Sequence, residues 1–461
     1  MKKTFKIVIF GVGSFYTTRK SLFDGVVAYI DNSVAEGCEK KLDGHTIYNP
    51  NCILKLKFDY VVLACMDADA MRSQMIDCGV TLSKILFFED YLNIVFGKNV
   101  VNTISLRTNT TKKCLLCMTP HFDNGGAAAA IINAMKLLSN DYQVDVICSM
   151  TNSETTAQLT TWGIKTIEMP AIYTAGYYDI PELDKYEFVI CNTVFLLPVY
   201  REIHKTKKSF LWLHDPYICV KHVFDRIKIM KLDINGLENI YAVSNLAKDI
   251  FCKVASKDIN VGILPYCISD HRCVHEKTGK IVFALVGMVY SLKGQDIYIR
   301  AISSLSQDIM SQCEFWIAGR YAQESKYYKE LTNMAKKYSN IIFLGELTKK
   351  DMDNLYSKID VVVSASRSDM LPTVIAEGMM NQLVVVTSDA TGMADYIEDG
   401  YNGFVFQSEN VRMLTEKMEY IVQNFSQLDH VKENARKTYE KFFTNSQFKK
   451  NLEDIMQSYY R

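Results

Sequence analysis

The stretch Ser366-Arg367-Ser368-Asp369-Met370-Leu371-Pro372-Thr373-Val374-Ile375-Ala376-Glu377-Gly378-Met379-Met380 decides how this chain folds. An apolar run, Asp360-Val361-Val362-Val363-Ser364, precedes it and reads as a buried parallel strand. Pro372 suits the first turn of a helix, where its missing N–H costs nothing. Asp369 is therefore expected in a loop at the carboxyl end of a strand, with Glu377 inside the helix that follows. Open α/β sheets bind their ligands at such strand ends, and a helix N-terminus there suits a phosphate. Taken alone, the two acids read more simply as a solvated loop aspartate and a surface helix glutamate. The flanking sequence decides between these.

Downstream come a second apolar strand, Val384-Val385-Val386-Thr387-Ser388, then Gly392-Met393-Ala394-Asp395, then Asp399-Gly400-Tyr401-Asn402-Gly403. In this order the elements resemble the retaining glycosyltransferases of the GT-B fold, group one (family four), over most of residues 279–461. The family mark is Glu-x7-Glu, then a small-residue turn, an apolar strand and Gly-x-x-Glu. Here the first and last acids, Asp369 and Asp395, are one methylene shorter, while the eight-residue spacing to Glu377 is kept. The resemblance implies that Glu377 hydrogen-bonds the donor ribose and that Asp369 fixes the sugar ring. It also gives meaning to Lys293-Gly294 after the strand Lys280–Gly287, since the lysine would neutralise the diphosphate leaving group. The family usually places an arginine after that strand's glycine, where Met288 stands; Arg320 or Arg367 would have to substitute at the phosphates. The strand end Ile341–Leu347 would hold the nucleotide base through the backbone, at Gly345 and Leu347.

Composition bounds the rest. At 461 residues the chain is long enough for about three domains of ordinary size. Lysine plus arginine equals aspartate plus glutamate at 52 each, which leaves no global footprint for nucleic acid. Thirteen cysteines without a framework, and no signal peptide, point to free thiols in a reducing cytoplasm. Cys114 and Cys117 form a Cys-x-x-Cys inside an apolar strand, whose alternation turns the thiols to opposite faces and argues against zinc. No run of roughly eighteen apolar residues exists, so no membrane-spanning helix is expected. No metal site and no cofactor are expected either.

The start, Phe5 to Tyr16, is a strand followed by Gly11-x-Gly13, and further strands read at Val26–Ile30, Tyr60–Ala64 and Ile85–Phe87. Residues 1–100 thus form a small Rossmann-like module of nucleotide-binding type. Tyr16 stands where the dinucleotide fingerprint has its third glycine, and Asp31 where an acid would meet a ribose hydroxyl. Gly11, Gly13 and Asp31 are therefore either a second nucleotide site or a tight turn. Residues 101–112, polar and threonine-rich, read as a linker, which makes the module dispensable for the chemistry.

A second α/β unit is expected over residues 113–268. Its first strand leads to Gly125 and Gly126 at the start of an alanine-rich helix, either a phosphate-binding turn or a plain glycine turn capped by Asn124. In the resembled family this loop faces the donor diphosphate. Phe210–Leu213 ends in His214-Asp215-Pro216; a histidine there is more often structural, but the family has a His-acid pair beside the reacting sugar. His214 is accordingly a candidate catalytic group with Lys293 and Asp369, and Asp215 would orient it or reach the acceptor. Lys221–Lys231 alternates basic and apolar residues at helical spacing, as an amphipathic surface helix or one leaning on an anionic bilayer.

Together these features predict an α/β chain of GT-B type. Two facing Rossmann-like domains, 113–268 and 279–440, follow the small N-terminal one, and a helix within 441–461 packs back toward the acceptor domain. The function implied is metal-independent transfer of a hexose, with retention, from a nucleotide-diphosphate sugar (UDP-sugar favoured) to a glycan or lipid-linked acceptor in surface polysaccharide biosynthesis. The setting would be the cytoplasm, with peripheral membrane contact as an option. Two other readings compete. An NAD-dependent sugar-nucleotide oxidoreductase or epimerase would use the N-terminal module but leaves the C-terminal pattern unexplained. A non-catalytic sugar-nucleotide sensor would account for Met288 and the two shortened acids.

Overall fold

The computed structural model describes residues 4–38, 40–104, 111–122, 125–256, 259–276, 279–322 and 325–459, and it builds them on three sheets. The first contains β1 (Ile7–Phe10), β2 (Val26–Ile30), β3 (Lys40–Leu42), β4 (His45–Tyr48), β5 (Tyr60–Leu63) and β6 (Ile85–Phe87), in the order β3-β4-β2-β1-β5-β6. Four of these strands were legible as apolar runs; the hairpin β3–β4 was not. Lys40 and Lys41 carry no apolar alternation, as befits an exposed edge strand. The signal lay in the turn. Asp43 and Gly44 join the two strands with φ of +52° and +81°, the left-handed pair that an Asp-Gly hairpin turn supplies.

The second sheet contains β7 (Asn102–Ile104), β8 (Cys114–His121), β9 (Gln143–Met150), β10 (Lys165–Glu168), β11 (Tyr186–Asn192), β12 (Ser209–Leu213), β13 (Ile240–Ala242) and β14 (Val261–Ile263). Their order is β14-β13-β12-β11-β8-β9-β10-β7, so the winding reverses between β8 and β11. The expected linker 101–112 is in part a strand: β7 pairs antiparallel with β10, and Asn102 Nδ2 donates to Glu168 Oε2 at 3.0 Å. Residues 105–110 of that linker lie outside the described residues.

The third sheet contains β15 (Ile281–Val286), β16 (Cys313–Ala318), β17 (Ile341–Gly345), β18 (Val361–Ser364), β19 (Val384–Ser388) and β20 (Phe404–Phe406), all parallel, in the order β17-β16-β15-β18-β19-β20. This is the doubly wound order, and it reverses between β15 and β18. The valine runs of β18 and β19 are buried throughout, as a sheet covered on both faces requires.

The chain divides into two compact units, residues 1–241 with 250–261, and residues 242–249 with 262–461. In the first unit the N-terminal module is not a free appendage. Its helix Phe88–Phe96 carries Glu89 and Asp90 to the helix Tyr217–Ile229, where His222 Nε2 lies 3.1 Å from Glu89 Oε1 and Arg226 Nη2 lies 2.9 Å from Asp90 Oδ1. Glu89 is 1% exposed and Arg226 2%, and the rings of Phe87 and Phe195 flank His222. A second tie joins Arg19, which donates to His121 Nε2 at 2.9 Å. These contacts revise two expectations. The module is fastened by ion pairs centred on the buried Glu89, and the basic face of the helix at Lys221–Lys231 is partly turned inward, with His222 and Arg226 buried while Lys228, Ile229 and Met230 stay exposed.

In the second unit Ser244 Oγ donates to the carbonyl of Met370 at 2.6 Å, which places residues 242–249 with the C-terminal sheet and moves the boundary expected near 268. Tyr266 donates to the carbonyl of Leu371 at 2.5 Å. The last helix, Asn445–Ser458, buries Phe448 and Leu452 and belongs to this same unit.

Candidate functional site

The third sheet sets out its polar groups at the point where its winding reverses. After β15 the chain makes a short turn, Ser291–Lys293, and enters the helix Gln295–Ser304 through Gly294. Gly294 has φ +69°, and a Cβ there would stand 1.9 Å from the carbonyl oxygen of Ala365, so this junction requires glycine. Lys293 is thereby aimed at the loop after β18, where its ammonium forms an ion pair with Asp369. Burial opposes the charged amine, but the attraction and hydrogen bond of Asp369 win and raise its pKa above the usual value. The Asp369 backbone is itself held, donating to the Ala390 carbonyl at 3.2 Å and accepting from Gly392 N–H at 2.9 Å. Sequence-distant Asp369, Gly392 and Lys293 are thus brought together.

Glu377 is in the helix Thr373–Met380, with Pro372 as its N-cap, one residue before the position expected for the proline. One carboxylate oxygen accepts from the hydroxyl of Tyr356 at 2.5 Å. Tyr356, on the helix Lys349–Lys358, was not singled out in the sequence, because nothing local marks a tyrosine whose partner lies on another helix. Its bond fixes the rotamer of Glu377 from behind.

The two arginines separate. Arg367 grips Asp296 with Nη1 and Nη2 at 2.8 and 2.9 Å, and its Nε donates to Glu409 at 2.7 Å. Burial would raise the Asp296 carboxyl, but Arg367, Tyr327 and Arg300 hold it far below its usual range. With four of its five N–H groups committed to Glu409, Asp296 and the Ser291 carbonyl, Arg367 fastens the Asp369 loop to the turn that carries Lys293. Arg320 is exposed, its side chain has no partner among the described residues, and its carbonyl accepts from Val289 beside Met288. Gly345 ends β17 with its carbonyl accepting from Gly319 N–H at 2.7 Å, and the stacked rings of Tyr321 and Tyr328, 3.9 Å apart, stand beside it. Leu347 is half-buried two residues on.

In the first unit, Gly125 is the N-cap of the helix Gly126–Leu138, and Asn124, the alternative cap, lies outside the described residues. His214 follows β12, its ring packed against Trp212 at 4.4 Å between centroids. Burial pushes its pKa down to about 3, so the imidazole is neutral at physiological pH. Asp215 does not turn to that ring. Its carboxylate accepts from the backbone N–H of Val194 at 2.7 Å and of His214 at 3.3 Å, and burial, opposed by these bonds, raises its pKa to about 6. In the module, Asp31 closes the Gly11-x-Gly13 turn: its carboxylate accepts from Val12 and Ser33 N–H groups at 3.1 and 2.8 Å. That occupies the acid expected at a ribose, and the helix after Gly13 is only six residues long.

A cavity of about 530 Å³ is lined by Asp360, Leu383, His275 and Lys432, at the amino ends of β18 and β19 and away from the strand ends just described. Among the described residues no group of three or more His, Cys, Asp or Glu is arranged to hold a metal ion, and no helix is long and apolar enough to cross a membrane.

Three mostly parallel sheets, the third doubly wound with a lysine-carboxylate pair at its reversal, make this a GT-B-like α/β protein. Comparison with known proteins agrees. Residues 269–438 match the family model of the glycosyl transferases group 1, and residues 3–86 match that of the C2185-like N-terminal domain. The chain thus carries a group 1 glycosyltransferase domain over residues 269–438, with an extra C2185-like domain at its N-terminal side. An uncharacterized glycosyltransferase of Methanocaldococcus jannaschii is 27% identical over 237 residues, 49% of this chain and 64% of that protein. The capsular polysaccharide biosynthesis glycosyltransferase CapM of Staphylococcus aureus is 21% identical over 229 residues, 49% of this chain and 53% of its own length. The chain thus spans less than two thirds of either relative. Among solved structures, HepE of Anabaena in complex with UDP and glucose superposes with a TM-score of 0.61 at 16% identity, covering 75% of this chain and all of that one, which is a likeness of fold.

Proposed function

We propose that this protein transfers a sugar, with retention of configuration, from a nucleotide-diphosphate sugar to a glycan or lipid-linked acceptor in surface polysaccharide biosynthesis, with a UDP-hexose as donor. The observation that carries the reading is the Lys293–Asp369 pair beside Glu377 at the reversal point of the third sheet. An incoming diphosphate offers Lys293 a stronger partner than Asp369 does, and the exchange frees a carboxylate next to the sugar. Lys293 then meets the charge that grows on the diphosphate as the glycosidic bond breaks, where a preorganised cation counts most. Asp369, released, accepts from the sugar hydroxyls, and Glu377, braced by Tyr356, accepts from the ribose.

The departing phosphate oxygen takes the proton of the attacking acceptor hydroxyl, so the new glycosidic bond forms on the face the leaving group vacates. Arg320, exposed and without a side-chain partner among the described residues, is available to a second phosphate charge, with no metal ion needed. Gly345 and Leu347 offer backbone groups to the base. Support for a UDP-hexose comes from HepE, solved with UDP and glucose, and support for a polysaccharide product from CapM. The test is donor turnover by the purified chain with UDP-hexoses, in parent and Lys293→Ala forms. A sensor would bind and release the donor intact, and an intact donor after prolonged incubation with acceptor lipids and glycans would remove the enzyme reading.

A further inference from the structure

The two ties between the N-terminal module and the second sheet differ in kind. The first is ionic, around Glu89; the second has a charge on one side only. Arg19 ends the short helix Ser14–Arg19, and its guanidinium reaches His121, the last residue of β8. Nη1 donates to Thr18 Oγ1 at 2.8 Å and, over 3.4 Å, to the Phe15 carbonyl, while Nη2 donates to His121 Nε2 at 2.9 Å. The Phe15 ring lies 4.3 Å from Cζ, and the buried hydroxyl of Tyr173 is a further neighbour. None of these partners is an anion. An arginine can only donate, so the imidazole accepts and brings no counter-charge. Glu89, whose charge also acts on Tyr173, is spent on His222 and Arg226.

That makes Arg19 an exception. The other buried or half-buried arginines among the described residues, Arg72, Arg201, Arg226, Arg367 and Arg436, all pair with a carboxylate. Arg19 is half-buried as well and has no carboxylate partner among the described residues. Its position is also particular. His121 is in register with Met150, the last residue of β9, so the guanidinium stands at the carboxyl ends of two neighbouring strands. One of them, β8, flanks the reversal of the winding, where sheets of this kind take their ligands. A partly desolvated cation without a counter-ion is costly, and an anion arriving there relieves the cost.

We propose that the N-terminal module lends Arg19 to the carboxyl ends of β8 and β9, where it binds an oxyanion of the acceptor, a phosphate or a carboxylate. The planar fork of a guanidinium recognises either group, and the long bond to the Phe15 carbonyl is the one most easily given up. A sugar hydroxyl would leave the charge uncompensated, so the ligand carries a negative charge. This inference rests on the glycosyl-transfer reading above and narrows it to an anionic acceptor. It also makes the module part of the binding surface as well as a fastening.

The experiment is calorimetric titration of the full chain, as parent and as Arg19→Gln, with four probes. Farnesyl diphosphate offers a lipid-borne phosphate, digalacturonate a glycan carboxylate, digalactose a neutral counterpart, and UDP the donor's leaving group. One of the two anionic probes is expected to bind the parent and to lose affinity on the order of tenfold in Arg19→Gln, with UDP and digalactose unaffected. Which probe responds tells phosphate from carboxylate. Arg19→Lys should recover only part of the loss, because it keeps the charge without the fork. A residue that merely fastened the module would lower the thermal midpoint of Arg19→Gln and leave the affinities alone, which overturns the proposal. So does an equal loss for UDP, or a parent that binds neither anion. Where Arg19→Gln does not fold, Arg19→Lys decides: weaker binding of the anionic probe supports the site, and unchanged binding refutes it. A parent that binds the anion through Arg19 but neither binds nor consumes UDP-hexoses refutes the transferase reading and, with it, the assignment to an acceptor. A parent that consumes UDP-hexoses while its anion binding ignores Arg19 loses this site alone.

Discussion

Two ionic clusters of this chain use the same chemistry to opposite ends. Glu89, His222 and Arg226 are sealed between a helix of the N-terminal module and a helix of the second sheet, with Glu89 and Arg226 out of contact with water and Asp90 at the rim. Lys293 and Asp369 stand at open strand ends, with 24% and 16% of their side-chain surfaces exposed. In the sealed cluster no ligand can compete for the charges, so removal of one partner strands another in a dry interior. In the open pair either partner can exchange for a ligand at little cost. Burial, more than the ion pair itself, separates a fastening from a binding site.

Breaking the sealed cluster should have the largest effect. Glu89→Ala is expected to lower unfolding free energy by about 3–5 kcal/mol, read from urea denaturation, because it leaves Arg226 and His222 short of a counter-charge. A loss below about 1 kcal/mol, the scale of a surface pair, would end the distinction between the clusters. For the same reason a chain beginning at Lys112, which the sequence alone suggests would retain activity, should be poorly folded. Recovery of a cooperative, active protein from that truncation would restore the view of a detachable module.

Next comes the open pair. Lys293→Ala should cut turnover of a UDP-hexose on the order of a hundredfold while changing donor affinity much less, since the charge it meets grows in the transition state. Lys293→Arg should recover only part of this, as the planar fork places its charge elsewhere. Turnover within about threefold of the parent, the effect of losing an ordinary surface charge, would take the lysine out of the mechanism. Glu377→Ala should weaken nucleotide-diphosphate binding by about 1.5–3 kcal/mol in calorimetry, and Tyr356→Phe by about 0.5–1.5 kcal/mol through the lost brace. A larger loss for Tyr356→Phe than for Glu377→Ala would reverse the assigned roles.

The contrast also shows in pH. Burial disfavours the Glu89 carboxylate, but Arg226 and His222 hold its pKa at about 2 against an ordinary 4.5. Its contribution, on the order of 3 kcal/mol, is therefore whole above pH 4.5 and fades as pH falls toward 2. Asp215 acts in the other sense: raised to about 6 by burial, it contributes stability below its ordinary 3.8 that is lost as pH rises through 6. Glu89→Ala should flatten the acid limb of a stability profile below pH 4.5 and leave the change near pH 6 in place. An unaltered acid limb would mean that other carboxylates dominate it.

Much of this was legible in sequence because it is local. Valine runs, Pro372 and the eight-residue spacing of Asp369 and Glu377 place strand, loop and helix without knowledge of the tertiary fold. What escaped depends on partners far along the chain. The bonds of Arg367 to Asp296 and Glu409 leave no local mark in the sequence, and neither does the bond of Tyr356 to Glu377. The module looked detachable because polar residues 101–112 resemble a spacer, and its buried acids, Glu89 and Asp90, read as the ordinary acidic first turn of a helix.

The short strand β7 has a meaning for how the chain behaves in a crowded solution. It covers one border of an eight-stranded sheet, so that β10 meets a strand of its own chain there. Without it, the outward N–H and C=O groups of Lys165–Glu168 would form a template on which a second molecule could add a strand of its own. The stretch that looks like a tether therefore also serves as a guard against self-association, and a change that frees β7 should announce itself first as oligomers.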